Sequence, residues 1–554
     1  MNSIFSPKFF SLLKAGISRE ILSKDIFAGI IVGIIALPLA IAFAVASGVS
    51  PEKGIVTSIV AGFLISMFGG SRVQIGGPTG AFIVVVFGIV QKFGLQGLII
   101  STMMAGVFLI IFGLLKLGAV LKYIPHPLIV GFTSGIALII FSSQIKDALG
   151  LQISNLPAGF VGKWEVYLHH FSTLNYYAVS ITLGTILIAL YSRKITSKVP
   201  GSFIALILMT IATYSFKLPV STIETVFGQI SGQLTFHLPA ADPKLFSDYL
   251  QPAVTIAILG AIESLLSAVV ADGMISGNHR SNTELIAQGI ANLVTPLFGG
   301  IPATGAIART AANVKNGGRT PVSGMVHAVT LLLIMLFAAK WAMLIPMSCL
   351  AGILIVVAYN MSEWRSFYTI LKGSRYDVVV LLTTFLLTVL VDLSVAIEIA
   401  IVLSALIFMQ RMSKLSNVLP VEINSDLIEN YSGVPAGIDI YEISGPFFFA
   451  AARKYQETLR NIESSSRVLI LRMRHVPFID ATGIQNLKQT AEYLNNTGVK
   501  LVLSGVQDEV RKELEKNRIA FLIGKANIFS NFEKALVHAK KITESQTVSA
   551  KTVK

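Results

Sequence analysis

The residues able to do chemistry in this chain are two breaks rich in Gly, Pro and Thr, a carboxylate and an arginine, all set in apolar surroundings. The first break is Phe68-Gly69-Gly70 followed by Gly76-Gly77-Pro78-Thr79-Gly80-Ala81; the second is Phe298-Gly299-Gly300 followed by Pro302-Ala303-Thr304-Gly305-Ala306-Ile307. Each places helix-poor residues where a membrane-spanning backbone should be helical. That is tolerated only where protein or a water-filled cavity satisfies the freed backbone groups. The copies lie 230 residues apart counted from Phe68 to Phe298, and 225 from Thr79 to Thr304. Paired interruptions at matching places in two halves point to a secondary transporter's binding site at the bilayer midplane. Half-helices starting at Thr79 and Thr304 would aim partial positive charge at one point. The expected occupant is therefore an anion, held by the N–H groups of Thr79, Gly80, Gly305 and Ala306.

Glu263 lies inside the apolar stretch 253–270. A carboxylate at that depth costs roughly 2.5 to 3.5 kcal/mol on insertion scales and marks an ion pathway by default; the alternative is a packing carboxyl bonded to a neighbouring helix. Arg309 follows the second break by about one helical turn and is either a charge for the anion or a positive charge at the cytoplasmic end of a short helix. Pro38, with Ala36 and Phe43 around it, would kink the first span and let its apolar face line the pocket. His237, His279 and His327 lack metal-ligand spacing, so no metal is expected. One cysteine, Cys349, leaves no disulfide framework.

The elements that must position these residues are membrane spans. The chain of 554 residues is 53% hydrophobic and 13% charged. Apolar segments fall at 27–47, 54–68, 79–91, 97–116, 127–145, 174–191 and 200–216, then at 251–271, 284–297, 305–314, 321–340, 344–359, 377–391 and 393–410. Seven spans per half force the second half to enter from the opposite side, giving a 7+7 inverted repeat over about 26–216 and 250–411 within a transmembrane domain at 26–412. With residues 1–25 inside, the inner loops carry Arg72, Lys122, Arg193, Lys194, Lys198, Arg280, Lys315, Arg319, Arg365, Lys372 and Arg375. The outer loops, near Glu52, Asp147, Glu224, Asp242 and Asp392, are mixed. This bias puts both termini in the cytoplasm of a multi-pass inner-membrane protein. It also assigns the formal net charge of +14 to loops facing lipid headgroups rather than to nucleic acid.

Of the 74 charged residues, 33 fall in the last 134 positions, so a soluble domain follows a linker at 413–433. Strands at 437–443, 468–473 and 500–504 alternate with helices at 450–463, 482–495 and 508–515, an α/β domain over 434–540. The tail 541–554 has no apolar period and is read as disordered. No nucleophile and base stand together there, so no enzyme activity and no cofactor are expected.

These residues resemble the SulP anion transporter family, whose animal relatives include sulfate and chloride/bicarbonate exchangers and prestin. The marks are Ala36-Leu37-Pro38, Gly76-Gly77-Pro78-Thr79-Gly80, Glu263-Ser264-Leu265-Leu266 with Asp272-Gly273-Met274, and Ala308-Arg309-Thr310 with Asn313. The tail resembles the family's STAS domain, with Asp480-Ala481-Thr482-Gly483 matching the turn shared with bacterial anti-sigma-factor antagonists. The resemblance implies fourteen helices in core and gate domains, a homodimer, an elevator-like movement, and an anion pocket at Pro38, Phe43, Thr79, Gly80, Ala81, Gly305, Ala306, Ile307 and Arg309. It implies uptake of sulfate, bicarbonate or a C4-dicarboxylate; Ala358-Tyr359-Asn360-Met361-Ser362-Glu363 looks like the dicarboxylate branch, and the first break like the bicarbonate branch. Sodium-driven bicarbonate members carry an Asp and two hydroxyls where this chain has Glu263, Ser267 and Ile307. The oxygen missing at Ile307 weakens a Na⁺ site, so H⁺ coupling through Glu263 is expected before Na⁺. Thr482 is expected to cap the following helix. By analogy with the antagonists it is also a phosphorylation candidate, and the domain a site for a cytoplasmic protein partner. The rival readings are an uncoupled anion channel and a membrane sensor with the STAS domain as output.

Overall fold

The computed structural model describes residues 5–119, 125–153, 156–157, 159–192, 201–228, 234, 236, 246–391, 393–415, 417–420, 434–451 and 466–552. The expectations for Lys122, Arg193, Lys194, Lys198, His237, Asp242, Asp392 and most of the helix 450–463 fall outside them. The chain divides into two compact units, Met1–Val402 and Leu403–Lys554.

The first unit opens with the short helix α1 (Lys8–Ala15), followed by α2 (Arg19–Ala46) and α3 (Pro51–Phe68). A two-residue strand β1 (Gly76–Gly77) leads into α4 (Phe82–Leu114). Then come α5 (His126–Leu149), α6 (Phe160–His169), α7 (Tyr176–Tyr191), α8 (Gly201–Ser215) and α9 (Ile223–Phe227). The second half repeats the order with α10 (Phe246–Ile275), α11 (Ser281–Val294), strand β2 (Thr304–Gly305), α12 (Ile307–Lys315), α13 (Val322–Ala342), α14 (Met347–Met361), α15 (Trp364–Leu371), α16 (Arg375–Leu390) and α17 (Leu393–Leu415), the last of which continues past Val402 into the second unit. Among the described residues, eight helices are long and apolar enough to cross a membrane, and α7 and α8 are shorter apolar helices. Each of the fourteen expected spans has a helix or helix arm. The third and fourth share α4, which breaks at Gly94, where φ is 68° and ψ −171°. Glycine reaches that conformation without the Cβ clash other residues meet.

Packing sorts these helices into two bundles. α4 lies against α10 and α11, and α13 against α2 and α3; α5 lies against α14 and α16, and α7 against α8 and α14. With no hydrophobic drive between helices in lipid, small residues let backbones approach closely. Gly106 of α4 and Gly289 of α11 face one another, and a Cβ on either would press on the other's helix backbone.

The second unit holds a five-stranded sheet of order β3 (Asn417–Pro420), β4 (Ile438–Ser444), β5 (Val468–His475), β6 (Lys500–Ser504) and β7 (Ile528–Phe529). β3 runs antiparallel to β4 and the remaining pairs are parallel. The helices are α18 (Ala481–Asn496), α19 (Asp508–Lys516), α20 (Ile519–Ile523) and α21 (Phe532–Thr552). β5 is buried on both faces: Leu469, Leu471 and Met473 join a cluster with Leu487 and Leu514, while Val468 and Ile470 pack with Ala535 and Ala539. Covered faces explain its unbroken apolar run. Two boundaries differ from expectation. β3 belongs to the sheet although it lies in the stretch read as linker, and α21 runs to Thr552 through the tail read as disordered. That helix is seated by Ala535 and Ala539, both fully buried. Alanine carries little hydrophobic signal in a sequence but fits where a helix approaches a sheet closely.

Candidate functional site

The two breaks meet. β1 and β2 pair antiparallel, with Gly76 opposite Gly305 and Gly77 opposite Thr304. The crossing backbone that each half removes from helix is thereby satisfied by the other half, as burial in a membrane protein requires. Ala306 N–H extends the ladder to Ile75 O at 2.8 Å, and Ile75 N–H donates to Thr310 Oγ1 at 3.0 Å.

This pairing corrects two expectations. The half-helices start at Phe82 and Ile307, each about a turn later than Thr79 and Thr304, because Thr304 and Gly305 are occupied by the crossing and Thr79 and Gly80 lie in the segment that follows it. The Ala306 amide is consumed by the ladder, so it is not an anion donor. Phe82 and Ile83 donate back to Thr79 O and Gly80 O at 3.2 and 3.1 Å. Among the described residues no acceptor meets the amides of Gly80 and Ala81. At the facing terminus the first intrahelical bond is Thr310 N–H to Ala306 O, which leaves Ile307, Ala308 and Arg309 as the open first turn.

α10 crosses behind both breaks and supplies the carboxylate. Thr79 Oγ1 donates to Glu263 Oε2 at 2.6 Å, and one turn earlier Thr304 Oγ1 donates to Gly260 O at 2.7 Å. Glu263 thus touches the first break and stands one turn from the second. Ser267 is buried one turn further along and donates to Thr310 Oγ1 at 3.1 Å rather than meeting Glu263. Ile307 is 40% exposed at the start of α12, and its side chain offers no oxygen.

Arg309 is 2% exposed, so it is not a charge at a solvated helix end. Its guanidinium donates to Pro78 O and, at 3.3 Å, to Ser58 Oγ. The fork of donors braces the first break from the second half while keeping a full positive charge beside Thr79. Pro38 and Phe43 are buried within α2, outside this polar network.

Other polar residues hold the site together. Gln74 Nε2 donates to Ser264 O and Oγ at 3.2 and 3.0 Å, and a Cβ on Gly305 would collide with that carboxamide. Glu284 of α11 is fully buried and accepts from the Gly70 and Ser71 amides at 2.8 and 3.0 Å. Thr57 of α3 accepts from Ile301 N–H at 2.8 Å. Each half's second span therefore caps the Gly-Gly loop of the other half. In the second unit, Asp480 caps α18 by accepting from Gly483 N–H at 2.7 Å and also accepts from Phe449 N–H at 2.9 Å. The cap is thus Asp480; Thr482 is an exposed residue of the first turn.

Comparison with known proteins agrees with this architecture. Residues 22–384 match the sulfate permease family and residues 433–535 the STAS domain. The chain is 40% identical over 521 residues to the putative sulfate transporter YvdB of Bacillus subtilis, covering 94% of this chain and 98% of that protein. It is 32% identical to the bicarbonate transporter BicA of Picosynechococcus, covering 93% and 94%. Its fold is similar to murine Slc26a9 in the inward-facing state, with a TM-score of 0.87 at 20% identity over 96% of this chain and 93% of that one. It is also similar to the transmembrane domain of a cyanobacterial BicA, with a TM-score of 0.62 at 32% identity over 70% and 98%. The chain belongs to the sulfate permease family, as a multi-pass membrane transporter, not an enzyme, that carries a C-terminal STAS domain.

Proposed function

We propose that the chain takes up a small oxyanion or carboxylate, of the class of sulfate, bicarbonate or a C4-dicarboxylate, in symport with H⁺. The observation that carries this reading is the 2.6 Å bond from Thr79 to Glu263. It joins the segment leading into a half-helix, where an anion is attracted, to a carboxyl able to gain and lose a proton, so occupation of one is felt at the other. Relatives described as sulfate and bicarbonate transporters support the anion class. Proton coupling is favoured over Na⁺ because the Ile307 side chain supplies no oxygen where a hydroxyl would add a ligand; hard cations need several oxygen ligands.

In this reading both termini are cytoplasmic, the protein is a homodimer in the inner membrane, and the bundle of α2–α4 and α10–α13 moves as an elevator against the bundle of α5, α7, α8, α14 and α16. Anion access then alternates while the paired breaks stay joined.

The test is uptake into proteoliposomes with imposed H⁺ and Na⁺ gradients, offering sulfate, bicarbonate, fumarate and succinate. An inward H⁺ gradient should drive accumulation of one of them without Na⁺, and Glu263→Gln should abolish accumulation while exchange persists. Accumulation by the variant, or strict Na⁺ dependence of the unaltered protein, overturns the coupling. A reversal potential independent of pH would make the protein a channel.

A further inference from the structure

A cavity of about 840 Å³ opens between the two bundles at the end bearing Gly94 and α6, the outer side in the topology proposed above. α2, α4 and α10 line one wall, and α5, α6 and Met347 of α14 the other. Its floor reaches Ile83 and Ile140, and Ile140 lies 3.6 Å from where a Cβ on Gly80 would stand. The cavity thus ends one side chain short of the first half-helix start.

Lys163 of α6 lines this space and is only 4% exposed. Its ammonium sits 5.0 Å from the centre of the Phe87 ring. Among the described residues neither a carboxylate nor a hydrogen-bond acceptor pairs with it. Burying a cation is costly unless it is paired, and a ring face offsets only part of that cost. The position is fixed: Trp164 Nε1 and Tyr167 Oη donate to Ser142 Oγ and O at 3.1 and 2.9 Å, pinning α6 on α5. Among the described residues, Lys92, Lys146, Asp147 and Asp248 also line the cavity, giving three ammonium groups to two carboxylates. Burial also pushes the Lys163 pKa below the ordinary lysine range.

We propose that this cavity is an outer anion vestibule in which Lys163 binds the substrate anion before it passes Ile83 and Ile140 to the paired half-helices. The inference rests on the reading of the protein as an anion transporter. A positive, low-dielectric cleft raises the local concentration of an anion and its rate of entry. Lys163 would thereby complete its missing ion pair with cargo.

The full-length protein in lipid nanodiscs is treated with a sulfonated succinimidyl acetate, and acetylation is followed at Lys163 and at exposed Lys217 by mass spectrometry. Sulfate, bicarbonate or succinate, balanced against gluconate at constant ionic strength, should slow acetylation of Lys163 about tenfold and leave Lys217 unchanged. In proteoliposomes Lys163→Gln should raise KM for entry from the α6 side by about tenfold with maximal rate kept, and Lys163→Arg should restore it. A Lys163 that does not label, that no tested anion protects, or whose loss leaves KM unchanged overturns the vestibule. Protection without accumulation of any tested anion leaves the vestibule standing and removes the transport reading; accumulation without protection does the reverse.

Discussion

The two glycines expected to admit an anion differ in what surrounds them. A Cβ on Gly305 meets the Gln74 carboxamide, whose bonds to Ser264 tie the crossing to α10, whereas a Cβ on Gly80 meets the thioether end of Met361, a flexible side chain. Gly305→Val should therefore cut uptake about 100-fold in protein that still elutes as a folded species, because misplacing a site by about 1 Å has that effect. Gly80→Val should be milder and largely rescued by Met361→Ala. Equal, unrescued losses in uptake assays of the two variants would show that the difference in surroundings has no role. Arg309→Ala should weaken a divalent anion more than a monovalent one, since the lost Coulomb energy scales with substrate charge. Competition assays with sulfate and bicarbonate read this directly, and an equal loss for both would make Arg309 a brace alone. Glu263 and Arg309 were legible in the sequence because a charge within an apolar run stands out. Gln74 and Glu284 were not. The first lies in a polar connection, and the second opens the apolar stretch 284–297, where a charge ordinarily marks a membrane boundary.

Among the elements, the loops at Gly70 and Ile301 are held by reciprocal caps, Glu284 and Thr57. Glu284→Ala would leave the Gly70 and Ser71 amides buried and unsatisfied, at about 1–3 kcal/mol each. It should lower the thermal unfolding temperature in detergent more than Thr57→Val, which orphans one amide at Ile301. The reverse order would mean that the loops are held by packing. The repeat itself was visible as Gly, Pro and Thr at matched spacing, and the split of α4 at Gly94 agrees with separate spans at 79–91 and 97–116. What spacing did not reveal is that the breaks pair as strands. Two residues per strand are too few for any periodicity, and the partner lies in the other half. The same limit hid β3, a four-residue strand.

For the whole molecule, the C-terminal unit has its own sheet with apolar clusters on both faces, one of which also takes in Met412 from the end of α17. Truncation after Lys414 should leave the choice among sulfate, bicarbonate and succinate unchanged while altering transport rate or expression. A well-folded truncated protein with switched selectivity in the same uptake screen would contradict this. The pairing of the breaks also constrains how the protein is made. Ile75 N–H finds its acceptor on Thr310, 235 residues later, and Arg309 reaches back 231 residues to Pro78. While the first half is being synthesised, its crossing segment carries polar backbone with no partner, in a place where hydrocarbon offers none. The first seven spans are therefore expected to stay unsettled until the second break is delivered. A ribosome stalled before Thr304 should leave a first half that is extracted or degraded, and coexpression of the second half as a separate chain should rescue it.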